Sequence, residues 1–153
     1  MLIERENLRD LIAYIHSKGK TVVTTNGCFD ILHVGHIRYL EKTKSYGDYL
    51  IVLLNSDKSV RSIKGPTRPI NNELDRAEIL SALRCVDYVV LFDEDSPRNL
   101  LDEMKPDVYT KGADYTMETL PEADIMKKNN TRVEFIDFVQ GKSTTKIIEK
   151  INK

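Results

Sequence analysis

Apolar positions along this chain switch between two spacings, and the switching predicts alternating helices and strands. Leu8, Leu11, Ile12 and Ile15 recur at helical spacing, so a helix is expected from about Arg5 to Ser17, ending near Gly19. The β-branched run Thr21 to Thr25 predicts a strand, and helical spacing resumes through Ile37-Arg38-Tyr39-Leu40-Glu41-Lys42 towards Gly47. Tyr49 to Leu54 is continuously apolar, as expected of a parallel strand covered on both faces. Ser56 can cap a short helix through Ile63, and Gly65-Pro66-Thr67-Arg68-Pro69 reads as a loop. Asn72 starts a helix to about Leu83, and Asp87 to Phe92 is a third strand. Pro97 opens a helix to Met104. Val108-Tyr109-Thr110 and Val133 to Ile136 are shorter strands, and Ser143 caps a final helix. Strands alternating with helices predict an α/β fold, a doubly wound parallel sheet in a single domain over residues 1–153, with residues 1–19 as a helix preceding the core.

In such a sheet, ligands bind beyond the carboxyl ends of the strands. Asn26 to His36 follow the first strand, Asn55-Ser56-Asp57 the second and Phe92-Asp93-Glu94 the third. Lys111-Gly112-Ala113-Asp114 follow the fourth, and Gly141 to Thr145 the last. The first cluster is the most informative, because two of the chain's three histidines, His33 and His36, fall where a glycine turn becomes a helix. Residues three apart share a helix face, and a helix start presents unpaired N–H groups and positive dipole. Two imidazoles there suit a phosphate chain, with Gly35 between them leaving room for a close ligand. His-x-x-His is also half of a metal site, but zinc needs further ligands and His16 lies before the strand, so no direct metal site is expected.

Composition narrows the partners. With 23 basic and 24 acidic residues the net charge is −1, which favours neither nucleic acid nor a membrane surface, so acidic substrates need local donors. Cys28 and Cys85 show no metal or CxxC spacing and suit a reducing compartment. Met1-Leu2-Ile3 is followed by charges and no run approaches a membrane span, so a cytoplasmic location is expected.

The run Gly27-Cys28-Phe29-Asp30-Ile31-Leu32-His33-Val34-Gly35-His36 resembles the His-x-Gly-His signature of the cytidylyltransferase-like nucleotidyltransferases. Their second signature, Ser-Thr-Thr opening a last helix, is matched by Gly141-Lys142-Ser143-Thr144-Thr145-Lys146-Ile147-Ile148. Within that family the chain is most similar to bacterial heptose 1-phosphate adenylyltransferase domains. The segments that carry this are Leu54 to Asp57, Ile63 to Pro69, Ala82 to Val90 and Lys111 to Tyr115. The likeness runs from about Thr21 to Ile151 and includes no kinase domain.

The resemblance implies a Rossmann-like nucleotidyltransferase that moves AMP from ATP, with Mg²⁺ riding on the phosphates, to D-glycero-D-manno-heptose 1-phosphate. A separate kinase would supply that acceptor, and a homodimer is expected. His33 and His36 take the triphosphate, and Lys64, in a Gly/Pro-flanked loop, is the mobile catalytic cation. Backbone groups of Asn26, Gly27, Cys28 and Phe29 and the hydroxyls of Ser143, Thr144 and Thr145 add phosphate contacts, with Arg76 supporting the site. Lys111, Gly112 and Asp114 form the base-reading loop. Asp57, Arg68 and Asp30 stand near the acceptor, Asp30 chiefly as a turn-organising acceptor of hydrogen bonds. Asp87 is read as structural and Cys28 as a packed residue whose backbone matters. Phe138 stands where glycerol-phosphate cytidylyltransferases carry the arginine of Arg-Thr-x-Gly-x-Ser-Thr-Thr, which favours ATP over CTP, and Lys142 inside the signature faces a phosphate or water. A CTP-dependent enzyme acting on a polyol phosphate and a nucleotide-binding module without turnover are the alternatives.

Overall fold

A computed structural model describes residues 1–138 and 141–153; Val139 and Gln140, inside the C-terminal segment quoted above, lie outside the described residues. After a 3₁₀ turn (Arg5–Asn7), the chain runs α1 (Leu8–Ser17), β1 (Val22–Gly27), α2 (Val34–Lys44), β2 (Tyr49–Asn55), α3 (Asp57–Lys64) and α4 (Glu73–Ser81). It continues as β3 (Tyr88–Phe92), α5 (Arg98–Met104), β4 (Val108–Gly112), α6 (Ala123–Lys128), β5 (Arg132–Ile136) and α7 (Thr144–Ile151). The five strands are ordered β3-β2-β1-β4-β5 and every pairing is parallel, so the expected doubly wound sheet is present.

The continuous apolar run in β2 is explained by two cores. Ile51 and Leu53 face the layer of α1, α5 and α6, whereas Leu50, Val52 and Leu54 face that of α2 and α4. β1 pairs with β2 through its whole length, from Val22 opposite Tyr49 to Gly27 opposite Leu54. Its pairing with β4 is confined to Val23 with Val108 and Thr24 with Tyr109. Beyond those positions the two strands part, and a crevice opens at the point where the strand order reverses.

Several boundaries differ from the apolar pattern for identifiable reasons. β1 and β4 each run on through polar residues, Asn26-Gly27 and Lys111-Gly112, because their outer neighbours β2 and β5 continue to pair with them. Helix α6 carries too few apolar positions for a periodic signal, yet Ile125 and Met126 are buried in the core. Helix α4 ends at Ser81, before a turn in which Leu83 N–H reaches Leu80 O and Val86 N–H reaches Leu83 O. His16 is paired with Asp107 at 2.8 Å, tying α1 to the start of β4.

Aspartates organise the amino ends of the strands. Asp48 accepts from Thr21 N–H at 2.9 Å, Asp107 from Val22 N–H at 2.7 Å and Asp87 from Leu50 N–H at 2.8 Å. Asp87 also accepts from the Lys44 ammonium, so its structural role is seen directly. Replacing Asp87 with Ala is expected to lower stability by about 1.5–3 kcal/mol, the range for hydrogen bonds to a charged group. Urea unfolding at pH 7 checks the loss, and nucleotide binding at the far end of the sheet should be unchanged.

Candidate active site

A cleft of about 800 Å³ occupies the parted ends of β1 and β4. Every site residue expected from the sequence lines it except Arg76 and Asp57. The cleft also takes in residues the sequence did not single out, among them Tyr39, Ser96, Tyr115 and Glu122.

His33 and His36 cap α2 reciprocally. His33 is the N-cap, and its Nδ1 accepts from Gly35 N–H at 3.1 Å; His36 Nδ1 accepts from His33 N–H at 3.3 Å. Each Nδ1 is therefore an acceptor, which places the proton of a neutral ring on Nε2. The rings lie 3.9 Å apart between centroids, with Phe29 5.5 Å from His36. Burial, with His33 adding to it, pushes His36 down to about 4, and burial with the nearby Lys142 charge lowers His33. At neutral pH both rings are uncharged single donors. The space at Gly35 serves this cap, since a Cβ there would lie 2.8 Å from His33 Cε1. The imidazole fills the room that the sequence suggested was kept for a ligand.

The loop before α2 holds two residues, Phe29 and Ile31, at positive φ. Such backbone persists where surrounding contacts over-determine it, and here Asp30 supplies them. Its buried carboxylate accepts from Ile70 N–H at 2.7 Å and Asn71 N–H at 3.0 Å, with Arg68 Nε 3.6 Å away. Asp30 is thus the turn organiser expected. Its own carbonyl accepts from Thr144 Oγ1 at 2.6 Å, which joins the two signature segments. Ser143 caps α7, accepting from Lys146 N–H at 3.0 Å while keeping its own hydroxyl proton.

Arg76, expected to support the site, does so from behind the cleft wall and not as a ligand of the nucleotide. It is 1% exposed on α4 and does not line the cleft. Its guanidinium donates to Asn71 O, Cys28 O and Asn55 O at 2.9, 2.7 and 2.8 Å and to Asp57 at 2.9 Å. Arg76 is a positioning residue for two loops and the end of β2, and Asp57 is its ion-pair partner, not part of the cleft lining. Lys64 is corrected in part: it is the last residue of α3, not a loop residue, and Gly65 after it takes φ +102° as the chain leaves the helix. Its side chain is exposed and reaches the cleft. Cys28 is half-buried with burial raising its thiol, and its carbonyl is what Arg76 holds.

At the opposite end, Lys111 and Gly112 belong to β4 itself. Lys111 donates to Asn26 Oδ1 at 3.3 Å, and Tyr109 OH donates to the same oxygen. Burial lowers the Lys111 ammonium, opposed by Glu122 and Asp114. A Cβ at Gly112 would meet the Phe138 ring at 2.3 Å, so the glycine admits an aromatic that lines the cleft and is 64% exposed overall. Phe138 was noticed in the sequence as a departure from a signature; its packing against Gly112 could not be read there. Glu122 gave no signal, because the helix that it precedes was not legible; Ser96 lies in the stretch after Phe92, which the sequence pointed to without singling this residue out.

The cytidylyltransferase-like family model matches residues 24–150. The bifunctional protein HldE of Syntrophotalea carbinolica is 55% identical over 96% of this chain, and that of Geobacter metallireducens 53% over 95%; this chain spans 30% of the length of each. The crystal structure of a lipopolysaccharide core biosynthesis protein from Thermoplasma volcanium is 34% identical with a TM-score of 0.64, covering 81% of this chain and 100% of that one. The chain belongs to the cytidylyltransferase-like family of nucleotidyltransferases.

The cap yields a direct expectation. In the free protein the His36 imidazole should remain neutral at pH 5 and titrate near 4, as followed by NMR of the ring. Because the folded value lies below the usual 6.5, the stabilisation is complete above that pH and declines as pH falls towards 4. A His36 titration near 6.5 would contradict the cap.

Proposed function

We propose that this cleft transfers the adenylyl group of ATP to a sugar 1-phosphate, D-glycero-D-manno-heptose 1-phosphate, giving the ADP-sugar and pyrophosphate. The observation that carries the reading is the reciprocal histidine cap, which leaves two Nε2–H donors beside a helix N-terminus. A sugar 1-phosphate is ionised at neutral pH and needs no general base. One of its oxygens attacks the α-phosphorus, and the bond to the β-phosphate oxygen breaks. Charge then builds on the departing pyrophosphate, where fixed neutral donors stabilise it without having to lose a proton. Lys64 and Lys142, both reaching the cleft, supply positive charge for the same phosphates. Ser143, with a free hydroxyl proton at the start of α7, adds a donor.

Mg²⁺ belongs to this reading as part of the substrate, carried on the triphosphate. Both oxygens of Asp30 are engaged by backbone donors, and the described residues hold no group of three or more metal-ligating side chains. The adenine would stack on the exposed face of Phe138 beside Gly112 and Asp114. That surface, the likeness to heptose adenylyltransferase domains and the missing signature arginine together favour ATP. The Thermoplasma volcanium relative, titled for lipopolysaccharide core biosynthesis, supports a product used in a cell-surface glycan. A homodimer, a cytoplasmic location and a separate kinase that makes the sugar 1-phosphate complete the proposal. No helix among the described residues is long and apolar enough to cross a membrane.

Pyrophosphate release tests it. ATP, Mg²⁺ and the heptose 1-phosphate should give the highest kcat/KM; a higher value for CTP with glycerol 3-phosphate would overturn the subgroup, and ATP binding without pyrophosphate would identify a silent module. The His36→Ala variant should lose about 100- to 1,000-fold in kcat with a smaller change in ATP affinity, since its donor acts mainly in the transition state. Steady-state kinetics beside a melting curve separates this from the loss of a helix cap.

A further inference from the structure

One wall of the cleft takes no part in the chemistry described so far. Glu122, immediately before α6, is 3% exposed and lines the cleft together with Ser96. Its Oε1 accepts from Ser96 Oγ at 3.2 Å, and Ser96 Oγ accepts in turn from Arg98 N–H at 3.2 Å. The Arg98 side chain fixes the same turn, donating to Pro121 O at 3.1 Å and to Asp124 at 2.8 Å. One carboxylate oxygen is therefore anchored through a relay that begins on the backbone of α5. The other, Oε2, is buried with no hydrogen-bond partner among the described residues.

A buried carboxylate oxygen left unpaired is costly, so its partner is to be sought in whatever enters the cleft. Lys111 borders the same space, and of its three donors one is used on Asn26. No ion pair joins Lys111 to Glu122 among the described residues, although the Glu122 charge reaches Lys111 and opposes the effect of burial there. A fixed acceptor and a free donor facing one space match a hydroxyl group, which gives one proton and offers lone pairs.

We propose that Glu122 is a specificity residue that accepts a hydrogen bond from a substrate hydroxyl, with Lys111 donating to the same or the adjacent oxygen. This deepens the adenylyl-transfer reading and rests on it for the substrates. The hydroxyl belongs either to the ribose of the nucleotide or to the acceptor sugar; the chemistry is the same, and the ligands distinguish the two.

The test uses titration calorimetry on the wild type and on Glu122→Gln, with Glu122→Ala as a second variant. Ligands are ATP, 2′-deoxy-ATP and 3′-deoxy-ATP, then the heptose 1-phosphate and its monodeoxy analogues in the presence of unreactive α,β-methylene-ATP. The wild type should bind the analogue lacking the recognised hydroxyl about tenfold or more weakly. In the variants the parent ligand should weaken by a similar factor, and the difference between parent and analogue should vanish. That coupling to one hydroxyl is not produced by a general structural defect. Coupling on the deoxy-ATP series assigns the ribose, and coupling on the sugar series assigns the acceptor. A wild type indifferent to every deoxy analogue, or a folded variant that still discriminates, overturns the inference. Wild-type turnover with ATP and the heptose 1-phosphate but no coupling leaves the functional reading standing. Coupling without any pyrophosphate release does the reverse.

Discussion

The site depends on holding α2 against a gap in the sheet. Where β1 and β4 part, backbone pairing no longer joins them, and buried hydroxyls take over. Thr25 Oγ1 donates to Thr110 O at 3.1 Å and lies 2.9 Å from Tyr39 OH; Tyr39 OH lies 3.2 Å from Thr110 Oγ1, which meets Thr43 Oγ1 at 2.9 Å. Tyr39 and Thr43 are on α2, the threonines at 25 and 110 on the two strands. A satisfied network of this kind in a low-dielectric interior is directional in a way that apolar packing is not. It sets the height and rotation of α2 and therefore where its N-terminus places the two histidines.

Arg76 fixes the loops in the same way from the other side. Its guanidinium binds carbonyls just after β1, at the end of β2 and just before α4, and so ties the loop before α4 to the ends of the two paired strands. Asp57 balances the charge at the one nitrogen not taken by carbonyls. A planar fork with fixed donor directions suits this task, and a lysine would lose most of the bonds. Removing it would leave buried carbonyls unsatisfied as well as freeing the loop whose strained residues shape the histidine end of the cleft.

The alternation of helix and strand was legible because buried strands and amphipathic helices write different periods into the sequence, and the switch-point rule then located the cleft. The His-x-Gly-His and Ser-Thr-Thr segments were legible because they lie next to clear strands and caps. What was not legible depended on long-range partners. The sequence placed Arg76 near the site, but only burial distinguishes a loop anchor from a ligand. The room at Gly35 looked like space for substrate until the His33 ring was seen to fill it. Glu122 sits before a short helix with no periodic signal, and its burial beside Ser96 with one oxygen unpaired is visible only in the structure.

The contact between the two signature segments joins residues 114 positions apart at one end of the cleft. Thr144 donates to the carbonyl of Asp30, a residue of the first signature whose own side chain organises the loop before α4. Lys142 is thereby brought close to Gly35, its Cβ 3.4 Å from where a side chain on that glycine would begin. A single hydrogen bond between partly exposed segments is worth about 0.5–1.5 kcal/mol, too little to lock α7 down. A triphosphate lying between the histidines and Ser143 would bridge the same two segments with several charge-assisted bonds. On the proposed reading, substrate would therefore add more to this closure than the hydrogen bond does, and α7 would be held most firmly while a triphosphate is bound.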